Sequence, residues 1–531
     1  YTINFVILST IFIQVMLVIY QAIFLLNSKI YGTLYNSNFL SLYLLVGLII
    51  LVALLKYKDK NKLDYVFLSI GIILIYFAVI LTKSRSGFIF LFFFTIYYLL
   101  QFKVNKWKKF FIVIVCLIPL VLFFKHIFAK FFIVSNLSDP FDYTRFKIWN
   151  NAISIIKDYW LVGTGLGTYQ YISFGYIFPV EASISKFGYY ASTAHNEFLQ
   201  LGAETGIFSL IIVLGVLCFI FFKFKNLKDS YENFVAKFGL ILIFLFSLTS
   251  NILYIPLFSI LTIYFLSIVM QSIIMQSIIM QNYSVKTNIK NKSYLWKIIL
   301  IIFLFGLITK PFLSYLYFSQ GIKYEQKGKI EKAYNSYKNA AKINFGCAEN
   351  YEELGDFCFD QYKITLQKKW VEKSLDNYNK AIKLNSLNPN YHTKLADLFF
   401  YLFQKTNEKK YLQYTFYAYK KAIKINPYNA FYYFHLANID WLFNQNKISF
   451  VQNIQKSIEL EPNFLDGYYY LGNFYEKENN DELSLKYYKK GLLKRKNIKS
   501  LPRNDFEEKL IYRKEQDFIE KINLLKLKKR K

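Results

Sequence analysis

The sequence predicts an all-α chain in two regimes, a polytopic bundle of transmembrane helices followed by an α-solenoid. Three observations predict it. Residues 1 to 128 and 206 to 311 are dominated by Ile, Leu, Phe and Val in runs of bilayer-spanning length, residues 312 to 531 are rich in Lys, Asn, Tyr and Glu, and a helix-pair pattern recurs from residue 314. At 54% hydrophobic and 20% aromatic over 531 residues, the chain is too apolar for one soluble domain and too charged for a purely intramembrane one.

A hydrocarbon core of about 30 Å needs roughly 20 apolar helical residues, and this ruler gives about nine spans. They fall near 3–26, 38–55, 64–82, 88–102, 110–128, 206–224, 236–254, 256–280 and 295–310, the fourth and last being short. Residues 3–26 exceed a signal-peptide core and lack a basic flank or small-residue cleavage site, so they read as a span. The chain begins with Tyr, and further spans are expected upstream.

Lysines in short loops set the orientation, because cytoplasmic loops retain positive charge. Lys56 to Lys62, Lys103 to Lys109, Lys223 to Lys228 and Lys286 to Lys292 mark four inside loops. Alternation puts the Lys83-Ser84-Arg85-Ser86 turn, the loop 129–205 and everything after 311 outside. The expected segments are 1–128 with about five transmembrane helices, an extracytoplasmic catalytic loop 129–205, 206–311 with about four helices, repeats over 312–497 and a basic helical tail 498–531. The repeated QSIIMQSIIMQ of 271–281 reads as a lengthened helix end.

The net charge of +30 would suggest nucleic acid in a soluble protein. Here lysine supplies nearly all of it, spread over repeats and short loops, so a nucleic-acid partner is not expected, and anionic lipid or glycan is favoured. The four cysteines, Cys116, Cys218, Cys347 and Cys358, have no metal-ligand spacing and read as packing residues. Cys347 and Cys358 could pair outside the cell.

From residue 314 one half-signature is an aromatic, then Leu, then a small residue: Tyr351 to Leu354-Gly355, His392 to Leu395-Ala396, Tyr433 to Leu436-Ala437 and Tyr468 to Leu471-Gly472. A first copy, Tyr317 to Gly321, has Gln320 in place of Leu. The other half is Tyr337-x-x-Ala340, Tyr378-x-x-Ala381, Tyr419-x-x-Ala422, Ile454-x-x-Ser457 and Tyr488-x-x-Gly491, with units ending in Asn426-Pro427 or Glu461-Pro462. Small residues let antiparallel helices approach while aromatics fill the seam, the packing of tetratricopeptide repeats, whose period is roughly 34 residues. About five units are expected, two of them lengthened near 364–370 and 404–410 between their helices.

The chemistry candidates stand beside the membrane. Arginine is scarce: Arg85, Arg145, Arg495, Arg503, Arg513 and Arg530 are the six, and the first two flank the outer membrane face. A guanidinium offers a planar fork to phosphate oxygens and keeps its proton, which suits a pyrophosphate; an interfacial arginine snorkelling to headgroups is the alternative. His195, in Ala194 to Gly206, is the sole histidine of the long loop, and imidazole is the side chain best suited to proton transfer near neutral pH; a hydrogen-bonded structural histidine is the alternative. His126, His392 and His435 are assigned packing or no role. Gly163-Thr-Gly165-Leu-Gly167 lacks the setting of a nucleotide loop and reads as a glycine-rich turn. Glu197 and Glu204 flank the histidine's helix start and would support the site by orienting His195, or would face water.

Together these stretches resemble the O-antigen ligase and polymerase family, bacterial membrane glycosyltransferases of polysaccharide and lipopolysaccharide assembly. The resemblance rests on Ser84-Arg85-Ser86-Gly87, on Arg145 to Trp149 and Ala152, on Asp158 to Tyr169 with its three glycines, and on His195-Asn196-Glu197 through Leu199-Gln200 to Glu204-Thr205-Gly206. Trp160 stands where the family often has Pro, and relatives usually have more spans before the loop. The resemblance implies a glycan donor on a polyprenyl (undecaprenyl) diphosphate, a glycan, lipid or protein acceptor, no metal and no cofactor. Arg85 and Arg145 would bind the diphosphate and His195 would activate the acceptor hydroxyl. It also implies the outer face of the bacterial cytoplasmic membrane, with the repeats outside and available to a protein partner. A protein O-oligosaccharyltransferase and a non-enzymatic membrane-anchored repeat scaffold are the alternatives.

Overall fold

A computed structural model of the chain describes residues 2–24, 30–57, 61–101, 144–180, 184–280 and 292–530. These residues form two compact units. The first is Tyr1–Tyr169 with Thr193–Ser284, and the second is Gln170–Ser192 with Val285–Lys531.

The first unit is built from α1 (Thr2–Phe24), α2 (Ser37–Tyr57), α3 (Lys62–Leu81), α4 (Arg85–Gln101), α5 (Thr144–Asp158), α6 (Glu197–Lys223), α7 (Tyr231–Ser247) and α8 (Pro256–Met280). Among the described residues, five helices are long and apolar enough to cross a membrane: Ile3–Phe24, Ser37–Tyr57, Lys62–Leu81, Glu197–Asn226 and Pro256–Met275. α2 lies at the centre, with every residue from Leu40 to Ala53 buried, because α1, α3, α4 and α7 pack around it. The outward faces of α1 and α3 instead expose Phe5, Met16, Phe67 and Ile73. Large exposed apolar faces on helices whose backbone groups bond internally are what a bilayer tolerates.

Polar contacts mark the two ends of this bundle. At one end Lys56 and Tyr57 meet Asp229, joining two of the loops that lysine content places together. At the other, Ser84 Oγ donates to Asn38 Oδ1 at 2.8 Å, and the hydroxyls of Ser86 and Thr249 lie 3.0 Å apart.

The helices at 37–57 and 256–280 follow the expected spans closely. The span expected at 236–254 differs: α7 stops at Ser247, and residues 248–255 leave the helix before Pro256, which starts α8. Proline favours a first-turn position because its missing N–H is not needed there. The span expected at 110–128 and His126 lie outside the described residues. The one expected at 295–310 falls within a longer helix of the second unit.

That helix, α9 (Lys292–Gln326), runs through Pro311 into the first repeat without a linker. The repeats follow as α10 (Ile330–Ile343), α11 (Ala348–Thr365), α12 (Lys368–Leu384), α13 (Pro389–Thr406), α14 (Lys409–Ile425), α15 (Ala430–Asn444), α16 (Lys447–Leu460), α17 (Leu465–Lys477) and α18 (Asp481–Asn497), closed by α19 (Asp505–Leu510) and α20 (Glu515–Arg530). They pack as successive antiparallel pairs, a tetratricopeptide solenoid, with α20 against α18. The lengthened units have longer helices and turn through left-handed Leu366 and Asn407, both at φ 56°.

The repeat signature is explained by one contact. A Cβ on Gly355 would stand 2.7 Å from the Tyr378 ring, and one on Gly472 2.4 Å from Tyr488. At these two glycines the ring therefore approaches the bare backbone, and at these seams and the one at Ala396 the tyrosine hydroxyl bonds the polar residue next along the helix: Tyr378 to Asp356, Tyr488 to Asn473 and Tyr419 to Asp397. Burial is then complete with no orphaned hydroxyl at these three seams. Cys347 and Cys358 are free thiols, not a disulfide; Cys347 Sγ donates to Glu349.

Candidate functional site

The site is built on the start of α6. Asn196 caps it, its side-chain oxygen accepting the N–H groups of Phe198 and Leu199 at 3.0 Å each. This satisfies donors that an uncapped helix leaves open. The same amide donates to Leu248 O at 3.0 Å, so the irregular stretch after α7 holds the cap. Just before it, His195 has φ 49°, a left-handed conformation that non-glycine residues keep only where neighbours fix it. Ala194 supplies part of that fixing: its N–H donates to Gln200 Oε1 at 3.1 Å.

Below the cap the helix is broken at Gly206, with φ 80° and ψ 176°. The break frees backbone groups, and the glycine-rich turn takes them. Thr164 N donates to Ala203 O at 3.0 Å, Gly165 N donates to Glu204 O at 2.8 Å, and Ile207 N donates to Trp160 O at 2.8 Å. A Cβ on Gly206 would stand 2.4 Å from Leu161 O, and one on Gly163 2.3 Å from the Glu204 backbone. The two strands of chain therefore touch backbone to backbone, and the glycine-rich segment is a structural turn.

Glu204 binds this turn from inside. Its side chain is 1% exposed and accepts from Gly167 N at 2.9 Å, Tyr169 N at 3.2 Å, Gln200 Nε2 at 3.2 Å and the Tyr254 hydroxyl at 2.8 Å. Glu197 is also buried and accepts Leu253 N at 2.5 Å. The expectation that either acid faces water is corrected. Both are structural acceptors, and Glu204 is linked toward His195 through Gln200 and the Ala194 amide. Buried polar oxygens are retained where donors replace their hydration.

The arginines arrive from two other helices. On α5, residues 145, 148, 152 and 155 fall on one stripe, and Ile148, Ala152 and Ile155 are buried where α5 packs on α6. Arg145 continues that stripe in the first turn. It is close enough to act on His195, whose imidazole is held below its ordinary pKa of 6.5, first by desolvation and second by the Arg145 charge. Both side chains retain solvent exposure.

Arg85 opens α4. Ser84 caps that helix, its Oγ accepting Gly87 N at 3.2 Å, and a Cβ on Gly87 would stand 1.8 Å from Ser41 Oγ of α2. Ser86 is tied to Thr249 and Asn196 to Leu248. The residues next to Arg85 and to His195 are thus bound to consecutive residues of one turn. Sequence reading included Asn196 and Gln200 in the motif without giving either a role, and it missed the 248–249 turn. An Asn immediately before an acidic first turn is a helix-start signal that would have marked Asn196, whereas the turn lies far away in sequence and carries no motif.

An apolar groove of about 330 Å³ leads away from this end along α6, its lining including Glu197, Phe198, Leu201, Val213, Leu217 and Phe244. Among the described residues, no group of three or more His, Cys, Asp or Glu side chains is placed to hold a metal ion.

Residues 70–214 match the family model described as O-Antigen ligase, the same stretch whose motifs resemble that family. A "ComP-specific O-oligosaccharyltransferase" of Acinetobacter baylyi is 27% identical over 234 residues, covering 41% of this chain and 40% of that protein. The chain therefore spans less than half the length of that curated relative. Among solved structures, a MamA protein aligns at 22% identity over 36% of this chain and 98% of its own, with a TM-score of 0.29. The Pseudomonas aeruginosa pilF product aligns at 15% identity over 41% and 91%, also at 0.29.

Proposed function

We propose that the chain, similar over residues 70–214 to the O-antigen ligase family, is a membrane glycosyltransferase that moves a glycan from a polyprenyl-diphosphate carrier to an acceptor hydroxyl. The observation that carries the reading is that, inside the matched stretch, Ser86 beside Arg85 and Asn196 beside His195 are bound to the consecutive residues Thr249 and Leu248.

The acceptor oxygen attacks the anomeric carbon while the bond from that carbon to the diphosphate oxygen breaks. The hydroxyl proton passes to neutral His195, and polyprenyl diphosphate leaves with the bonding electron pair, its charge met by Arg85 and Arg145. Fixed guanidinium groups need no reorganisation as that charge develops. A depressed imidazole pKa keeps His195 unprotonated near neutral pH and able to accept. The isoprenoid tail lies in the apolar groove along α6. Inversion at the anomeric carbon, the outer face of the cytoplasmic membrane and an extracytoplasmic repeat domain complete the reading.

The acceptor has two versions. A lipid or glycan acceptor makes the chain a ligase or polymerase; a protein acceptor makes it a protein O-oligosaccharyltransferase, which the name of the Acinetobacter relative favours. The test is a deletion strain complemented with wild type, His195→Ala or Arg145→Lys. Both variants should lose attached glycan at unchanged protein level, and glycopeptides that vanish with the gene would select the protein acceptor. Unchanged glycan in both variants would refute the reading and leave a membrane-anchored repeat scaffold.

A further inference from the structure

Residues 170–192 belong to the repeat unit although they interrupt the membrane unit in sequence. Their described residues, 170–180 and 184–192, form a strap that meets several turns of the solenoid. Tyr171 donates its hydroxyl to Glu349 at 2.9 Å beside the turn before α11. The Phe187 ring stacks on Tyr428, centroids 5.0 Å apart, at the turn before α15. Asn463 Nδ2 donates to Ile184 O at 2.8 Å at the turn before α17.

The firmest hold is Glu461, which is 0% exposed. Its Oε1 accepts from Ser185 Oγ at 3.0 Å and Phe187 N at 2.7 Å, and its Oε2 accepts Lys186 N at 2.6 Å. Glu507, also 0% exposed, takes the Tyr189 hydroxyl at 2.7 Å. The corresponding residue one repeat earlier is Asn426, whose side chain accepts Tyr428 N within its own turn. The Glu-Pro that replaces Asn-Pro is therefore what reaches outward to the strap.

In sequence the strap runs directly between residues of the candidate site. Tyr169, held by Glu204, is two residues before Tyr171; Ala194, held by Gln200, is five residues after Tyr189. His195 follows directly in its left-handed conformation, which requires fixed neighbours.

We propose that Glu461 is a positioning residue for glycan transfer: by gripping residues 185–187 it fixes the strap, and the strap fixes the backbone on which His195 is presented. The solenoid's inter-repeat edge has this chain's own loop as its ligand. The role in transfer rests on the function proposed above.

The test uses the full chain in lipid nanodiscs, with hydrogen exchange as one readout and farnesyl diphosphate binding as the other. Glu461→Ala should speed exchange at least tenfold at residues 185–187 and also at 194–196, while farnesyl diphosphate, held by Arg85 and Arg145, binds within twofold of wild type. Glu461→Gln keeps the acceptor for Ser185 and Phe187 and should fall between it and wild type. Faster exchange confined to 185–187, with 194–196 unchanged, overturns the proposal. Should Glu461→Ala lose protection throughout the solenoid, Tyr189→Phe, which removes one hydroxyl, is judged by the same two outcomes. Wild-type protein that fails to bind farnesyl diphosphate counts against the diphosphate site itself, and exchange at 194–196 then decides the positioning role alone.

Discussion

Gln200 and Glu204, one helical turn apart, are joined by a 3.2 Å bond from Nε2 to Oε1, while Gln200 Oε1 accepts the Ala194 amide. One side chain thus couples the glycine-rich turn to the residue preceding His195. An amide can do this because it both donates and accepts, which no carboxylate at position 200 could.

Replacing Glu204 tests that coupling. Glu204→Ala leaves four donors without their acceptor in a buried site, and unpaired buried polar groups cost about 1–3 kcal/mol each before relaxation. We expect a loss of about 3 kcal/mol or more of local stability, read as faster hydrogen exchange at residues 163–169 and 194–200, with the solenoid unaffected. Glu204→Gln, which retains one acceptor oxygen, should lose less.

The helix break gives a steric prediction. Gly206→Ala puts a methyl where Leu161 O stands and forces a side chain into positive φ. Left-handed placement alone costs roughly 1 kcal/mol or more for a non-glycine residue. Reduced thermal stability of the membrane unit with lost transfer is expected, whereas Gly215→Ala, where a Cβ meets nothing within 4 Å, should be neutral.

The Arg145 charge predicts a pH effect with a definite sign. His195 has its pKa lowered, first by desolvation and second by Arg145, so transfer should rise with pH through a value below 6.5 and level off above it. Arg145→Gln removes the cation and should move that acid limb to higher pH, apart from its loss of donor binding. For folding, a depressed imidazole pKa contributes stability that is present above pH 6.5 and lost as pH falls through the folded value. Rate profiles on the wild type and variant check the direction.

Gly355→Ala probes the solenoid. The new methyl meets the Tyr378 ring, and overpacking of this kind typically costs about 1–3 kcal/mol. Hydrogen exchange across 348–384 should accelerate while residues 465–497 stay protected, since repeats interact mainly with neighbours.

What the sequence made legible was periodicity and local punctuation. Apolar runs of bilayer length gave α2 and α8 closely, and the Gly355-to-Tyr378 type of spacing gave the solenoid, because each reflects contacts between residues near in sequence. The end of α7 at Ser247 was not read from the sequence: the polar Thr249-Ser250-Asn251 is short and flanked by Leu248 and by Ile252 to Ile255, and this stretch leaves the helix where its backbone groups serve Asn196 and Glu197. The continuity of α9 through Pro311 was hidden by the change in composition there. The buried roles of Glu197 and Glu204 were also hidden, since an acid at a helix start reads the same whether it meets solvent or a distant turn. The strap was least legible, because its partners Glu461 and Glu507 stand some 275 to 320 residues away.

The most direct measurement uses lipid-linked glycan extracted from a strain lacking the gene, supplied to the purified protein in nanodiscs, with release of polyprenyl diphosphate followed over time. The wild type should discharge the carrier. Arg85→Lys, Arg145→Lys and His195→Ala should each do so on the order of a hundredfold more slowly while remaining folded. A carrier left intact by the wild type, or discharged at the wild-type rate by all three variants, would contradict the account.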